Sequence, residues 1–247
     1  MTPHRLLRCN RNCLEFRSAL TFAASASCSL PGHVKGTGPV IKQALNVEHF
    51  HGIVLEGAMD VRLTMSKAFS VEVEGQENII GLVTTEVTNG IWHIATKEGY
   101  STDKPFVVHI GIPSIRRVSI EGSGDVVGQG EFGTELMELG IAGSGNLTLS
   151  FSAETTRAAI EGSGDMRLSG KGGTMDASIA GSGNMDASTL VVIDLKAEIA
   201  GSGDITADAT GKVNAAIEGS GDIVLMHQPA HIKKRVEGSG DVRVRAR

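Results

Sequence analysis

The sequence has few aromatic residues, and its cysteines are confined to one end. Aromatic residues make up 4% of the 247 residues, with a single Trp and a single Tyr, which excludes a core of ordinary large side chains. The three cysteines, Cys9, Cys13 and Cys28, exclude disulfides and cysteine-based metal sites from everything that follows them. No later segment approaches the roughly 18 consecutive apolar residues that a membrane-spanning helix needs.

Glycine, in contrast, is abundant, with 32 residues. A chain that is rich in glycine and poor in large side chains must bury small side chains efficiently. Stacked β-rungs do this, because they bury Ile, Val, Ala and Leu in continuous ladders and turn their corners at glycine. The composition therefore favours a repetitive all-β protein over an ordinary globular one.

Charge separates an N-terminal segment from the rest of the chain. Residues 1–26 contain four arginines and one glutamate, whereas the whole chain has a net charge of −5. The body is therefore more acidic than the total, which argues against a nucleic-acid partner because such a partner requires phosphate-binding basic residues.

The same N-terminal segment has the features of a secretory signal peptide. An arginine-rich start precedes a weakly apolar stretch at 19–26, which ends in an A-x-A pattern. We therefore expect export to the periplasm, the outer membrane or the cell surface. Two alternatives stay open, a disordered cytosolic tail and lipid anchoring at Cys28, although Ser25 stands where a lipoprotein signal has leucine.

One motif, Gly-Ser-Gly followed by Asp or Asn, occurs seven times at intervals of 18 to 21 residues. A branched apolar residue precedes each serine by three positions, and another apolar residue follows each acid or amide. Apolar residues two apart predict strands with one buried face, and the glycines predict a tight corner between them. The predicted corner residues are Gly122, Ser123, Gly124, Asp125, Gly143, Ser144, Gly145, Asn146, Gly162, Ser163, Gly164, Asp165, Gly181, Ser182, Gly183, Asn184, Gly201, Ser202, Gly203, Asp204, Gly219, Ser220, Gly221, Asp222, Gly238, Ser239, Gly240 and Asp241.

These repeats predict an all-β fold, a parallel β-solenoid (β-helix-like) with rungs of about 19–20 residues. In-register stacking brings like side chains over one another, which explains the fixed period. The structural alternative is an antiparallel β-sandwich, which gives no reason for that period. The solenoid predicts one buried ladder formed by Ile141, Ile160, Ile179, Ile199 and Ile217.

Four regions follow along the chain: a leader and probable signal peptide (1–26), a linker (27–44), a strand-rich head region (45–117) and the seven-copy array (118–247). Predicted head strands cover 47–55, 59–65, 69–74, 84–88, 91–96 and 105–112, with 97–104 as a polar loop.

Two further features of these regions follow from local sequence. Asn89-Gly90 predicts a hairpin turn. At the end of the array, Lys234 in an inward position and alternating arginines over 242–247 predict a cap that discourages edge-to-edge pairing.

Parts of the head resemble the array itself. Residues 56–63 (EGAMDVRL) closely match 161–168 (EGSGDMRL), which predicts a degenerate rung within the head. Residues 36–40 (GTGPV) suggest a second trace of a rung. The head is therefore expected to share the architecture of the array.

The order of these motifs resembles the GIN-domain family, whose label is autotransporter adhesin head domain. The resemblance covers roughly 45–247 and rests on FHGI at 50–53, EGAMDVRL, VHIGIP at 108–113, the repeated GSGD or GSGN, and QP at 228–229. It implies a β-helix-like fold in the bacterial envelope or outside the cell, with no established reaction.

Catalysis and metal binding are the alternatives to a binding or structural role. A polysaccharide-cleaving β-helix enzyme needs clustered outward acids or bases, and the repeats show no such cluster. A calcium-binding β-roll repeats every nine residues, and here Asn146 and Asn184 replace two of the acids. We interpret the acids instead as turn formers that accept local backbone N–H groups.

Four histidines in the head are a further candidate for metal binding, provided that they converge: His49, His51, His93 and His109. Ordinary half-exposed strand histidines are the simpler interpretation. The sequence therefore predicts a protein that is not an enzyme, with no catalytic, cofactor or metal site. Its partner would be a glycan or protein at a surface, or none. A binding module is expected to expose an aromatic patch around Trp92 and Tyr100.

Overall fold

A computed structural model describes residues 32–245. The predicted signal peptide, Cys28 as the alternative site of lipid anchoring and the last two residues lie outside the described residues. The boundaries predicted for the four regions remain predictions. Within residues 32–245, no helix is long and apolar enough to cross a membrane.

The described residues form strands and one short helix, α1 (Glu77–Ile80). The strands are β1 (His33–Lys35), β2 (Val40–Ala44), β3 (Gly52–Gly57), β4 (Asp60–Met65), β5 (Ser70–Gln76), β6 (Val87–Thr88), β7 (Ile91–Ile94), β8 (Gly99–Ser101), β9 (Val107–Ile112), β10 (Arg117–Gly122), β11 (Val126–Gly143), β12 (Leu147–Gly162), β13 (Met166–Gly181), β14 (Met185–Val192), β15 (Asp194–Gly201), β16 (Ile205–Ala209), β17 (Lys212–Gly219), β18 (Ile223–Leu225), β19 (His231–Gly238) and β20 (Val242–Val244).

The strands wind into a parallel β-solenoid of about 7 turns with about 19 residues per rung, which confirms the predicted fold class. The strand segments that lead into each corner form one parallel ladder, the pre-corner sheet, in the order β7, β3, β10, β11, β12, β13, β15, β17, β19. The segments that leave each corner form a second, the post-corner sheet, in the order β9, β4, β11, β12, β13, β14, β16, β18, β20.

The predicted isoleucine ladder is confirmed. The five isoleucines pair in register from rung to rung, and each is at most 2% exposed. Leu55 and Ile120 extend the ladder into the head, and Val236 ends it at 40% exposure. The core is thus a stack of matched side chains, as in-register pairing requires.

Each rung also contains a connecting side that the sequence analysis missed. Two strands per repeat were predicted, but β11, β12 and β13 continue unbroken from one corner to the next. Phe132, Phe151, Gly170 and Leu190 lie in register on this side, and both phenylalanines are fully buried. Its composition varies from rung to rung, so no repeated motif marks it in the sequence.

The head continues the solenoid. β3 pairs in parallel with β10, with Gly57 opposite Gly122, and β4 pairs with β11, with Val61 opposite Val126. The degenerate rung predicted at 56–63 is therefore confirmed.

The hairpin turn is confirmed as well. β6 and β7 are antiparallel, and both residues of the turn between them, Asn89 and Gly90, have positive φ, 53° and 73°.

Two expectations for the chain before the array are wrong. Residues 36–40 are not a rung, because β2 runs antiparallel to β5, which is itself antiparallel to β9. The chain reverses direction there, whereas rungs must stack in parallel. The segment 97–104 is not simply a polar loop either, because it contains β8, which pairs in parallel with β1.

An aromatic cluster and the unpredicted helix α1 supply the large side chains of the head. The ring of Phe50 lies 5.4 Å from that of Trp92 and 5.2 Å from that of Phe69. α1 packs against β5 and buries Ile79 and Ile80 completely. Trp92 is fully buried and donates a hydrogen bond to the Thr84 carbonyl at 2.9 Å.

At the other end, the ammonium of Lys234 donates a hydrogen bond to the Val242 carbonyl. This contact joins β19 to β20 and supplies a partner for a charge at an inward position. That this charged rung acts as a cap stays a prediction.

Candidate functional site

The repeated corner requires glycine at both of its positions. The first glycine of every GSG motif has a positive φ, between 133° and 150°, where L-residues are rarely found. A Cβ at the second glycine would lie 1.9 to 2.2 Å from a backbone oxygen of the rung before. The motif is therefore fixed by close stacking of backbones, independently of any ligand.

The acids and amides of the motif form a continuous hydrogen-bonded column. At every position except the last, Asp241, one side-chain oxygen accepts the backbone N–H of the equivalent residue in the next rung, at 2.7 to 3.2 Å. The column comprises Asp60, Asp125, Asn146, Asp165, Asn184, Asp204, Asp222 and Asp241. The sequence analysis assigned these oxygens to local N–H groups, which is wrong, because the donors lie one rung away.

The two asparagines relieve the crowding of acids in this column. The side-chain amide of Asn146 donates to Asp125 Oδ1 at 2.9 Å, and that of Asn184 donates to Asp165 Oδ1 at 3.1 Å. Each amide replaces a repulsion between neighbouring carboxylates by an attraction. In the last rungs, Arg243 lies 3.0 Å from Asp222 and adds a compensating positive charge.

The motif serines are exposed at the corners. Within residues 32–245, no hydrogen bond joins their hydroxyls to a histidine. His227, one of the two histidines in the array, instead contacts the carboxylate of Asp208 at 2.6 Å. Within the described part of the chain, no histidine is thus placed to act as a general base for these hydroxyls.

The four head histidines do not converge. His49 packs against Phe69, and the ring of His51 lies against Gly90. His93 contacts Glu56 and His109 contacts Glu74, each at 2.9 Å. In the part of the chain that the structure describes, no group of three or more His, Cys, Asp or Glu side chains is arranged to hold a metal ion.

The outer surface of the pre-corner sheet has charges that alternate in sign. Successive rungs place Arg117, Glu138, Arg157, Asp176 and Lys196 in register, and Arg157 lies 3.3 Å from Glu138. A shallow groove of about 360 Å³ runs beside this row. Small side chains, among them Gly140 and Ala158, line it between the charged residues.

A concavity of larger volume lies in the head, and we call it the head pocket. It has a volume of about 550 Å³, within the range of small-molecule sites. It lies where the small β1–β8 sheet meets the starts of β4 and β9. Its lining residues are His33, Ala58, Asp60, Thr96, Gly99, Tyr100, Ser101, Thr102, Lys104, Pro105 and Phe106.

An aromatic pair and a carboxylate define the chemistry of the head pocket. The rings of Tyr100 and Phe106 meet edge to face, with centroids 5.0 Å apart, which holds the half-buried Tyr100 ring in place. Burial raises the pKa of the Tyr100 phenol, and the nearby charge of Asp60 adds to this effect. Asp60 Oδ1 is used by the acid column, since it accepts the Asp125 N–H at 3.2 Å.

The sequence analysis located this site only in part. Tyr100 lines the head pocket, but Trp92 is a core residue and not part of an exposed patch. Asp60 was visible as the acid of the degenerate rung, yet nothing in its local sequence marks a pocket. Tyr100 lies on β8, which was predicted as loop, whereas Asp60 lies on β4.

The fold and its repeated corner define a parallel β-solenoid with a strand-rich head. The chain belongs to the family described as "Putative auto-transporter adhesin, head GIN domain", whose model matches residues 49–229. This shows the resemblance inferred from the sequence motifs to be correct. None of the curated proteins matches the chain.

Solved structures share the fold. A "putative adhesin" from Bacteroides fragilis superimposes with a TM-score of 0.82 at 22% identity, covering 86% of this chain and 100% of that one. A "putative lipid binding protein" from Parabacteroides distasonis gives 0.71 at 22% identity, over 87% and 100% of the two chains. A "putative adhesin" from Parabacteroides merdae gives 0.71 at 20% identity, with the same coverage. At these identities the comparison concerns the fold alone.

Proposed function

We propose that this protein is an exported, surface-exposed solenoid with an adhesin-like binding role and no catalytic activity. One observation carries the proposal: a rod of in-register rungs presents a preformed pocket in its head. The family supports a surface adhesin-like role. The predicted signal peptide supports export.

The rod is suited to presenting a ligand site rigidly. Backbone ladders join successive rungs, and the acid column adds a hydrogen bond at each corner. Binding residues on a rigid scaffold lose little conformational entropy when a ligand binds. A surface protein that must bind under mechanical load benefits from such a support.

The geometry of the corners argues against the two alternative functions. A calcium β-roll needs carboxylate oxygens that are directed at an ion. Here one oxygen of every motif acid before the last copy already accepts a backbone N–H of the next rung. A polysaccharide-cleaving enzyme needs two carboxylates, or a nucleophile and a base, around a cleft. The groove on the pre-corner sheet is instead flanked by charges that alternate in sign.

Display of the full chain on a non-adherent bacterium tests this proposal. We expect attachment to epithelial cells to be severalfold higher than that of the same strain without the displayed protein. Externally added protease should abolish this increase in attachment. Ile179→Asp, which disrupts the core ladder, serves as the displayed but unfolded control. Attachment equal to that of this control would contradict a binding role. Mass spectrometry of the mature N-terminus separately tests export.

A further inference from the structure

The head pocket contains polar groups that the protein itself leaves without partners. No described residue shares a hydrogen bond with the hydroxyl of Tyr100 or with the side chains of Thr96 and His33, all of which line the pocket. Asp60 uses Oδ1 in the acid column, and its Oδ2 accepts no hydrogen bond from residues 32–245. These groups converge on one concavity, so they are available to a bound molecule.

The mixture of these groups indicates which chemical class of ligand would satisfy them. Asp60 offers an acceptor, while Tyr100 and Thr96 offer hydroxyls that both donate and accept. Asp60 and Lys104 give the lining one charge of each sign, and Lys104 also lies 3.6 Å from Asp103, which is not a lining residue. A pocket with matched donors and acceptors and little net charge suits a neutral polyhydroxylated molecule better than an ion.

Aromatic and apolar surface completes the arrangement. Tyr100 and Phe106 form a fixed aromatic wall, and Ala58 and Pro105 add small apolar contacts. A pyranose ring has apolar C–H faces and a rim of hydroxyls, so it can stack on an aromatic face while a carboxylate accepts its hydroxyl protons. An acyl chain would leave the polar groups of the pocket desolvated and unpaired, at a cost in binding free energy.

We infer that the head pocket binds a neutral sugar unit of a glycan, with Tyr100 as the stacking surface and Asp60 as the principal acceptor of hydroxyl hydrogen bonds. This inference rests on the proposed binding function and names the ligand class of its site.

The single tyrosine of the chain provides a direct reporter. Because Tyr100 is the only tyrosine, incorporation of 3-fluorotyrosine into the full chain places one fluorine signal in the pocket. The probes are the methyl glycosides of mannose, galactose, glucose and N-acetylglucosamine, with choline and decanoate for comparison. Titration to about 50 mM exceeds the roughly millimolar dissociation constant typical of a ligand this small. At least one glycoside should shift the fluorine signal saturably.

Two matched substitutions separate the pocket from the acid column. Asp60 and Asp204 occupy equivalent positions in the acid column, and asparagine already fills this position at Asn146 and Asn184. Asp60→Asn and Asp204→Asn should therefore both fold, while only the first alters the pocket, because Asp204 lies several rungs away from Asp60. We expect Asp60→Asn to weaken glycoside binding at least tenfold and Asp204→Asn to change it less than twofold.

Each outcome decides the inference. A saturable shift with a glycoside that Asp60→Asn removes supports it. A shift with choline or decanoate only, no shift with any glycoside, or equal effects of the two substitutions would overturn it. Attachment of displayed cells that persists without any glycoside binding would refute the sugar site and leave the proposed adhesin-like role intact.

Discussion

Replacing the second glycine of a central corner tests how closely the rungs stack. In Gly183→Ala, the new Cβ would lie 2.1 Å from the Gly164 carbonyl oxygen in the rung before. Both atoms are anchored to backbone, so neither can rotate away. The corner must shift by about 1 Å to restore an ordinary contact, since real Cβ atoms essentially never approach closer than 3.0 Å.

The expected loss of stability follows from the hydrogen bonds that this shift would break. The N–H groups of Ser182 and Gly183 both donate to the Gly162 carbonyl, at 2.8 and 3.1 Å, and each such bond contributes roughly 1 kcal/mol. Overpacking strain adds about 1–3 kcal/mol, and the smaller entropy of the unfolded chain offsets about 0.5 kcal/mol. A net loss of roughly 3 kcal/mol should lower Tm by about 6–12 °C for a body of this size.

The control is Gly133→Ala in β11, where a Cβ would meet no atom within 4 Å. This change should leave Tm unchanged or raise it slightly. Both variants are measured by calorimetry on the same preparation. If Gly183→Ala melted within about 2 °C of the parent and of Gly133→Ala, the stacking argument would be refuted.

Four further outcomes follow from the same structure. Ile179→Asp should unfold the array, because an unpaired charge in the ladder costs several kcal/mol, whereas Ile179→Val should cost only about 1 kcal/mol in denaturant titrations. Glu138→Lys, beside arginines of both neighbouring rungs, should destabilise by roughly 1 kcal/mol, and the loss should shrink in high salt. A hydrogen bond from His109 lowers the pKa of Glu74. The contribution of ionised Glu74 to the stability of the fold is therefore present above the ordinary glutamate pKa of about 4.3, and it disappears as the pH falls through the lowered pKa. Glu74→Gln should therefore reduce the loss of stability on acidification. Sodium chloride should raise Tm modestly, because it screens the repulsion between acids in the column. A further rise of more than about 10 °C that only calcium produces, and that Asp222→Asn abolishes, would instead show that these acids bind a metal ion.

The array could be predicted because the same stacking interactions recur in every rung. In-register stacking demands small corners and matched core residues, so the GSG motif and the isoleucines mark each rung in the sequence. In the head, only residues 56–63 carry the sequence pattern of a rung, and their match with 161–168 made that rung predictable.

The antiparallel pairing of β2 with β5, the helix and the pocket could not be predicted from the sequence. β2 and β5 reverse direction through tertiary pairing, and antiparallel edge strands have no distinctive local pattern. α1 has four residues, too few for a helical periodicity to appear. The head pocket depends on the pairing of β1 with β8, two strands of three residues that are far apart in the sequence.

The central claim is that successive GSG corners stack directly on one another, one rung apart. Paired cysteines test it most directly, in a full chain whose three native cysteines are replaced by serine. Adjacent rungs place equivalent Cα atoms about 4.8 Å apart, within disulfide range, whereas alternate rungs lie about twice as far apart and outside that range. The account predicts that Ser163→Cys with Ser182→Cys forms an intramolecular disulfide on mild oxidation, and that Ser163→Cys with Ser202→Cys does not. A disulfide in the second pair and none in the first would contradict the stacking on which the rod and its head pocket are built.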